Sequence, residues 1–457
     1  MSSISTSLSG AGAAQAALLA TQQNLANMQT RGYTRQGVRM TAIGPTMGTN
    51  SAGNGVDFGS LLRFSDSYKN NQLWRSNSEF GQREAPQQYL SQLERVMGDD
   101  TSGLSNGVDK FFQALNAAAV DPTSSPLRQA VITASNAMAQ QFNSIYSVTS
   151  GQMLSVSEQR AAMLPGINAL TANVANLNGR ITAAVASGTN PSALIDERDL
   201  AIDDLSAMLG VEVSNNADGS VNLSMRSGQP LVANTAAAVM TIDNSGATEV
   251  LKLTMSNTTF TVESAVAGGQ LGGLSNFQTN VLAPLQKSIA EMAEQLSTLI
   301  NDQLAGGYDL NGAAGKPLFT FNANSSTGML QIDPTIKAAD LAFSNDPAAP
   351  GDSSNLQLII NVKNASVSLT SIGTVLLGDA DTQLVGKLGI DSQQNQALLK
   401  TAKTIRFQAE DDWKSTSGVN IDEEAANLIE FEKMYQANMK AIAVANSLFD
   451  ATLAMMG

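Results

Sequence analysis

Apolar residues recur every seven positions near the start of the chain. Residues 4–29 contain no proline and no charged side chain, which favours one uninterrupted helix of about 25 residues. One heptad series is apolar and holds Ile4, Ala11, Leu18 and Leu25. The neighbouring series starts with Leu8 and continues as Gln15, Gln22 and Gln29. The spacing therefore predicts a helix with one apolar seam, of the kind that pairs with another helix.

The end of the chain has the same periodicity. Its seam residues are Ile421, Leu428, Tyr435, Ile442, Phe449 and Met456. The side chain of Asn420 is suited to capping the start of this helix, and the three acids of residues 422–424 would lie in its first turn, where the helix dipole favours negative charge. We therefore expect two terminal helices that pair with each other or with other subunits. Ordinary packing inside one bundle is the alternative.

Helical and β patterns follow one another in blocks between the two ends. Residues 64–208 are expected to be helical, with Pro86 kinking or breaking one helix and Pro165 kinking or splitting another. Residues 210–266 contain short alternating apolar and polar runs, and residues 215–220 form a turn signal, which together predict antiparallel strands. A calcium loop is the alternative for that turn, but it lacks the spaced acidic ligands.

The predicted fold class is α+β. It is a long-helix bundle built from both chain ends and the segments that flank them, with an inserted antiparallel β-rich domain and terminal helices that resemble a coiled coil. The predicted domains are a terminal helical domain (1–30 and 419–457), a helical bundle domain (31–209, 274–307 and 384–418), an inserted β domain (210–273) and an insertion rich in loops and strands (308–383).

The composition excludes several kinds of active site. The chain of 457 residues has no His and no Cys. Imidazole and thiolate are the usual ligands of zinc, haem iron and iron–sulfur clusters, so no such metal site or cofactor is expected. Ser-His-Asp and Cys-His catalysis are excluded for the same reason. The formal net charge of −14 argues against binding to nucleic acid.

The distribution of charge also bears on location and association. Charged residues form 14% of the chain, against roughly 25% in average domains, which favours a surface that is buried largely against other subunits. The first 30 residues hold no Lys or Arg, so the basic region of a cleavable signal peptide is missing. No apolar run approaches the roughly 18 residues of a membrane span. We expect a protein that stays in the cytosol or leaves the cell without a cleavable signal, and that does not insert into a membrane.

An acidic cluster has two interpretations. Asp196, Asp199 and Asp203 share one face of a predicted helix. Paired carboxylates can hydrolyse glycosides, although such enzymes also need a sugar-binding cleft lined with aromatic side chains, and aromatics are only 5% of this chain. The alternative is structural: Arg198 pairs with nearby acids and fixes the junction between the helical bundle and the β domain.

A basic segment near the N-terminus likewise has two interpretations. Arg31, Arg35 and Arg39 lie in a segment of residues 31–63 that is predicted to be irregular and to contain strands. They either form a solvated basic loop or contact an acidic face near residues 422–424 in a contact between subunits.

Segments at both ends resemble a known protein family. Residues 24–36 (NLANMQTRGYTRQ) resemble the ANxxTxGY signature of bacterial flagellar axial proteins, and the TRQ ending resembles the hook-associated protein 1 family. Residues 417–428 (SGVNIDEEAANL) closely resemble that family's SGVNLDEEAANL motif, which continues into residues 430–438. Shorter internal matches lie at residues 175–181, 194–200 and 307–312, whereas residues 320–383 match nothing in the family pattern.

The resemblance implies a structural subunit of the bacterial flagellum and not an enzyme. Members of the family form the junction between hook and filament, self-assemble through paired N- and C-terminal helices, and are secreted by the flagellar export system to the distal end of the hook, outside the cell. The implied partners are other copies in a ring, the hook protein, the second junction protein, filament components and a cytosolic export chaperone on the C-terminal helix.

The seams and the motifs together predict the residues of an assembly interface. These are Ile4, Leu8, Leu18, Leu25, Asn27, Thr30, Gly32, Tyr33, Ile421, Leu428, Tyr435, Ile442 and Phe449. A flagellin-type filament subunit, which shares terminal heptads, is the first alternative, but the GYTRQ and SGVNIDEEAANL segments favour the junction family. A flagellum-linked carbohydrate hydrolase is the alternative from another class.

Overall fold

The computed structural model describes residues 3–44, 53–99, 103–245, 249–325 and 327–456. Helices dominate and several small antiparallel sheets lie between them in the chain, so the predicted α+β class is confirmed. The chain divides into two compact units. The first unit consists of Met1–Phe80, Leu164–Gly269 and Ala402–Gly457, and the second unit consists of Gly81–Met163 and Gln270–Thr401.

The helices account for most of the described residues. In chain order they are α1 (Ser3–Asn27), α2 (Ser67–Met97), α3 (Leu104–Ala118), α4 (Ser125–Ala186), α5 (Ser192–Met208), α6 (Gly269–Phe277), α7 (Ala283–Ala305), α8 (Ser354–Asn361), α9 (Ala380–Ser417) and α10 (Ile421–Met456). A π-helical turn, Gln278–Leu282, lies between α6 and α7.

The strands are short. They are β1 (Gln36–Ala42), β2 (Val56–Arg63), β3 (Val211–Asn215), β4 (Val221–Met225), β5 (Pro230–Ala233), β6 (Ala236–Ala237), β7 (Val239–Asp243), β8 (Val250–Met255), β9 (Thr258–Glu263), β10 (Phe319–Phe321), β11 (Leu330–Ile332), β12 (Ser366–Leu369) and β13 (Gly373–Leu376). The segment after α1, predicted to be irregular and to contain strands, contains the antiparallel hairpin β1–β2.

Two prolines lie inside helices that stay continuous. Pro86 is within α2, and Pro165 is within α4, a helix of 62 residues. The alternatives in which these prolines break or split the helices are therefore wrong, while the alternative of a kink within a continuous helix stays a prediction. A proline removes one backbone hydrogen bond, but the turns on either side keep theirs. The apolar face of α4 is also buried on both sides of Pro165, at Val156 and Ile167, which keeps the helix in place.

The strands β3–β9 belong to the first unit and form two antiparallel sheets. Their orders are β3-β4-β5-β6 and β7-β8-β9. In β4 the side chains of Val221, Leu223 and Met225 are buried and the residues between them are half-buried. This follows from the alternation of side chains across the two faces of a strand. The antiparallel strands predicted from the alternating pattern are confirmed.

The turn between β3 and β4 is built by local backbone chemistry. Gly219 has a φ of 85°, which glycine adopts without strain. The Asp218 carboxylate accepts a hydrogen bond of 3.0 Å from the backbone N–H of Ser220. The predicted turn at residues 215–220 is thus confirmed as a hairpin connection.

In the second unit, asparagine side chains fasten the short hairpin β10–β11. Asn143 on α4 donates to the carbonyl of Leu330 at 2.8 Å and accepts from its N–H at 3.1 Å. Asn301 on α7 forms the same pair of bonds with Phe319, at 2.8 and 3.1 Å. A two-stranded hairpin is marginal by itself, so these four bonds to helices hold it in place. The segment predicted to be rich in loops and strands contains β10–β13 and also the helix α8.

A buried arginine joins the start of α4 to the loop before α8. The side chain of Arg128 is fully buried, and its guanidinium donates to the carbonyl of Pro122 at 2.5 Å and to that of Leu341 at 2.6 Å. It also lies over the ring of Phe343, 4.4 Å from the centroid. Burial lowers the pKa of Arg128 to about 10, so the group remains charged at neutral pH.

Replacing Arg128 by Lys should destabilise the protein although the charge is kept. An ammonium group cannot reproduce the planar fork that reaches two carbonyls, and an unsatisfied buried group costs about 1–3 kcal/mol, so we expect a loss near 3 kcal/mol. The measurement is the urea unfolding curve of the purified chain. The control is Arg180→Lys on the same helix, at a side chain 54% exposed. Equal unfolding midpoints for the two variants would contradict the anchoring role.

Candidate functional site

The two terminal helices pack against each other in the first unit. α1 contacts α10 on one side and the β1–β2 hairpin on another. Gly10 lies so close to Asn438 that a Cβ at position 10 would be 2.6 Å from the Asn438 side-chain oxygen. Gly12 similarly faces the ring of Phe58 at 2.6 Å. The two glycines, which weaken a helix by themselves, thus allow α1 to approach both neighbours closely.

The pair is antiparallel, and α10 is the longer helix. Gly10 faces Asn438, while the end of α1 lies near the start of α10, where Arg35 donates its backbone N–H to Ser417 at 2.8 Å. Moving seven residues from Gly10 to Ser3 reaches the level of Ala445 on α10. Residues 446–456 of α10, here called the α10 overhang, therefore extend past the first described residue of α1.

The predicted seam residues of α10 divide into two groups. Leu428, Tyr435 and Ile442 are half-buried along the side that faces α1, whereas Ile421 and Phe449 are exposed. Phe449 belongs to the α10 overhang, in which four large apolar side chains are mostly exposed. Their exposed fractions are 65% for Leu448, 62% for Phe449, 55% for Leu453 and 81% for Met455. These side chains leave an exposed apolar surface at the end of α10.

The predicted seam residues of α1 are not the most buried residues of that helix. Ile4, Leu18 and Leu25 are half-buried, and Leu8 is 62% exposed. The buried positions of α1 are instead five alanines together with Thr21 and Asn24. The alanines are Ala11, Ala13, Ala14, Ala17 and Ala20. The predicted heptad series included only Ala11 among them, but the spacing of three and four residues between the others could have indicated the closely packed face.

A buried asparagine closes the turn that leaves α1. The Asn24 side chain donates to the carbonyl of Gln36 at 2.8 Å and accepts from its N–H at 3.0 Å. The same side-chain oxygen accepts from the Tyr33 hydroxyl at 2.9 Å. These bonds thus fix the start of β1 against α1. We call the three residues that make them, Asn24, Tyr33 and Gln36, the terminal clamp. Asn24 was not among the predicted interface residues, although it belongs to the motif that contains Tyr33.

The other motif residues predicted for the interface build the same turn. Asn27 accepts from the Thr30 hydroxyl at 3.2 Å, and its carbonyl accepts from the Thr30 N–H at 2.9 Å, which ends α1. Gly32 has a φ of 80°, and a Cβ there would be 3.1 Å from Leu200 on α5. These motif residues therefore shape the chain locally and bring it against α5.

The acidic face of α5 receives arginines from the segment after α1. Arg63 is 87% buried by side-chain area and bonds to Asp196 and Asp199 at 2.8 Å each. Arg31 bonds to Asp203 at 2.8 Å, from a more exposed position. Burial raises the pKa of Asp196 above its ordinary value, although the Arg63 charge acts against that shift. The three carboxylates that share one face are all engaged by arginines of the same unit.

The structural interpretation of Arg198 is confirmed. Its guanidinium donates to the carbonyl of Gly219 in the β3–β4 turn at 2.8 Å and to Asp199 at 3.1 Å. Arg198 therefore joins α5 to the β-sheet, and Asp199 lies between Arg198 and Arg63. The cluster is a structural ion network that connects the terminal segment, α5 and the sheet.

The basic segment also reaches the start of α10. The Arg35 guanidinium bonds to Glu423 at 2.5 Å and lies over the ring of Phe64, 4.7 Å from the centroid. Asn420 caps α10 through a bond of 2.9 Å from the Asp422 N–H, as predicted. The contact between Arg35 and the acids after Asn420 is therefore made within one chain, while Arg39 is exposed.

Two kinds of feature are missing from the part of the chain that the structure describes. None of the described helices has both the length and the apolar character that crossing a bilayer requires. Across the same ranges, Asp and Glu side chains nowhere gather in a group of three suited to holding a metal ion.

Comparisons with known proteins point to one family. A profile described as "Flagellar hook-associated protein FlgK helical domain" matches residues 90–319, and one described as "Flagellar basal body rod FlgEFG protein C-terminal" matches residues 415–455. The chain is similar to flagellar hook-associated protein 1 of Escherichia coli K12, with 26% identity over 98% of this chain and 99% of the relative. It is also similar to the protein of that name from Bacillus subtilis 168, with 27% identity over 97% and 96% of the two chains.

A solved structure shares part of the fold. It is described as the flagellar hook junction protein FlgK from Burkholderia pseudomallei, and it aligns with a TM-score of 0.52 and 26% sequence identity. The alignment covers 55% of this chain and 47% of that one, so the structural match spans about half of each.

Replacing Arg63 by Gln should destabilise the first unit. The change leaves Asp196 and Asp199 buried without their cation, and removing one partner of a buried pair costs about 3 kcal/mol. The control is Arg75→Gln, which removes an ion pair with Glu212 at a side chain 60% exposed and should cost under about 1 kcal/mol. Urea unfolding of both variants measures the difference. Losses of the same size would show that burial of the Arg63 pairs has no special weight.

The stability contributed by Tyr33 should disappear at high pH. Burial, with added effects of the Asp196 and Glu424 charges, raises the pKa of Tyr33 to about 12, against 10.0 for a free tyrosine. The unfolded chain therefore loses this proton first, so stability falls as the pH rises from about 10 to about 12. Tyr33→Phe lacks the proton, and its stability deficit relative to the unsubstituted chain should shrink across that interval. A deficit that stays constant in urea unfolding across the interval would contradict this assignment.

Proposed function

This chain belongs to the flagellar hook-associated protein 1 (FlgK) family, and from that premise we propose that it is a structural subunit of the junction between the flagellar hook and filament. Its role in this proposal is assembly and not turnover. The observation that carries the proposal is the pairing of α1 with α10 together with the exposed apolar α10 overhang.

The overhang supports assembly because its apolar surface has no cover within the described part of the chain. Burying a Leu, Phe or Met side chain fully is worth about 1.5–3 kcal/mol, so the exposed large residues of the overhang hold several kcal/mol that a neighbouring subunit can supply. We propose that copies of the chain form a ring in which the terminal helices of adjacent subunits cover one another. Ordering of the helix ends is then coupled to polymerisation.

The remaining partners follow from the position of the ring. The hook protein lies on one side, and the second junction protein and the filament components lie on the other. A cytosolic export chaperone covers the same apolar residues of α10 before secretion through the flagellar export system. The final location is the distal end of the hook, outside the cell. The absence of Cys from the sequence and the absence of charged side chains from its first 30 residues are compatible with this export route.

The hydrolase alternative loses its support in the site geometry. Asp196, Asp199 and Asp203 are bonded to Arg63 and Arg31. A glycosidase needs one carboxylate free to attack or to activate water and another to protonate the leaving group. The acidic face of α5 is used for structure in our proposal.

Deletion of the gene in its source bacterium tests the function. We expect hooks without filaments in electron micrographs, and unpolymerised flagellin in the medium, because the filament has no base to grow from. Re-expression of the unsubstituted chain should restore filaments. Intact filaments in the deletion strain would contradict the proposed junction role.

Re-expression of Phe449→Asp tests the overhang separately. The charge should prevent incorporation, because it would be buried against a neighbour, while the soluble subunit should keep its unfolding curve since Phe449 is 62% exposed. Val120→Asp is the matched control, because Val120 is 86% exposed in the second unit. Filaments with Phe449→Asp as numerous as with Val120→Asp would contradict the assembly role of the overhang. Ile442→Asp should also abolish incorporation, but it disturbs the contact with α1 as well.

A further inference from the structure

A pocket of about 190 Å³ lies in the first unit, where α2, α5, α9 and the segment after α1 meet. Both tryptophans of the chain, Trp74 and Trp413, line it, and we call it the tryptophan pocket. It shares Arg31, Gly32 and Trp413 with an adjoining groove of about 660 Å³, which also includes residues 418–420. The tryptophan pocket therefore lies near the start of α10 and is continuous with a surface groove.

Most charged groups that line the tryptophan pocket are already paired within the chain. The pairs are Arg31 with Asp203, Arg63 with Asp199, and Glu410 with Lys414. Burial raises the pKa of Asp203, and the charge of Arg406 acts against that shift without forming an ion pair. Arg406 of α9 is therefore the cation of this pocket that has no ionic partner among the residues that the structure describes.

The guanidinium of Arg406 is held in position by its neighbours. Its Nε donates to the side chain of Asn77 at 2.7 Å, and its central carbon lies 5.2 Å from the centroid of the Phe80 ring. The terminal nitrogens bond to no residue in the described ranges. A guanidinium binds a carboxylate with two parallel hydrogen bonds, so Arg406 can accept a carboxylate that enters the pocket.

Two polar side chains of the pocket lack partners although they are buried. Asn70 and Trp74, one turn apart on α2, are 8% and 6% exposed. Within the described chain, neither the side-chain oxygen of Asn70 nor the indole N–H of Trp74 has a hydrogen-bond partner. Buried groups of this kind normally have one. Because Leu73 and Leu200 add apolar walls, the pocket suits an occupant that has an apolar body and a polar group.

The α10 overhang carries a face with these properties. Asp450 is its one charged residue, and it is exposed. Phe449 and Leu453 lie within about 100° of Asp450 around the helix, so the three form one face with a carboxylate beside two apolar side chains. A cavity of about 150 Å³ can hold benzene, so the tryptophan pocket has room for one of these apolar side chains.

We propose that the tryptophan pocket receives this face of the α10 overhang from a second copy of the chain, with Asp450 bonded to Arg406. The proposal rests on the proposed function, in which the terminal helices of adjacent subunits cover one another. Asp450 lies about 44 Å along α10 from Ile421, so a subunit cannot fill its own pocket. A contact between opposite ends of one helix joins copies head to tail, which closes into a ring when the rotation between copies permits it.

Disulfide cross-linking in assembled flagella tests this contact, because the chain has no Cys of its own. The test chain carries Glu410→Cys, in the lining of both the pocket and the groove, and Leu453→Cys on the overhang. Under mild oxidation we expect a ladder of products from two copies upward, since each copy offers both ends. Either substitution alone should give no ladder. Ala451→Cys in place of Leu453→Cys is the matched control, because Ala451 is exposed about 160° away around the helix.

A double-mutant cycle on the cross-linking chain tests the ion pair. Asp450→Asn and Arg406→Gln should each lower the yield of the ladder about tenfold, which corresponds to about 1.4 kcal/mol. Both changes together should lower it no further, because they remove the same bond. Glu430→Gln, at another exposed acid of α10, should leave the yield unchanged.

Three results would overturn the pocket proposal alone. They are no ladder in a strain that forms filaments, equal ladders from the chains with Cys at positions 453 and 451, and a hundredfold loss in the doubly substituted chain. Filament counts in chains without introduced Cys repeat the comparison, and equal counts for Asp450→Asn and Glu430→Gln would also overturn it. Failure of the unsubstituted chain to restore filaments to the deletion strain would instead overturn the proposed function, and the pocket proposal with it.

Discussion

The packing of α1 against α10 and the contacts of Arg35 with Ser417 and Glu423 hold the two chain ends at one place. The bonds of Asn24 and Arg63 fix the N-terminal segment that carries Arg35. Arg35 and Glu423, which meet there, are 388 residues apart in the sequence. Closing so long a loop carries an entropy cost that local helix formation cannot offset. The compensation comes from the packing of α1 against α10. The nearly buried bonds of Asn24 and Arg63 add to it by keeping the N-terminal segment in position, since removal of a partner there would leave a buried amide or charge unsatisfied.

Much of this arrangement could be predicted from the sequence. The heptads marked both terminal helices and the alternation in residues 210–266 marked the strands, since both are local periodicities that reflect burial. The acids after Asn420 marked the start of α10 because negative charge is favoured in the first turn of a helix. For Arg198 the sequence predicted an acidic partner but not which acid it would be. The pairing of Arg63 with α5 was not foreseen, because no local pattern connects residues more than a hundred positions apart.

Other features were left open or missed because two physical effects compete. The sequence left open whether Pro165 kinks or splits its helix, and α4 stays continuous because one lost hydrogen bond is small beside the burial of a long apolar face. The alanine face of α1 was overlooked because large side chains dominate hydrophobic patterns, while close helix packing selects small ones. The π-helical turn has no recognisable sequence pattern, since it depends on how α6 and α7 pack against their neighbours.

The size of the buried side chains explains how α1 and α10 can pair within one subunit while the α10 overhang stays available for assembly. Each buried alanine of α1 removes about one methyl group from water, worth roughly 0.8 kcal/mol, whereas each large residue of the α10 overhang would contribute about two to four times as much. The exposed large residues of the α10 overhang therefore hold apolar stabilisation that is still unused in a single subunit. The alanine face and the terminal clamp position α10, and the surface left exposed by that position is the part that a neighbouring subunit would bury.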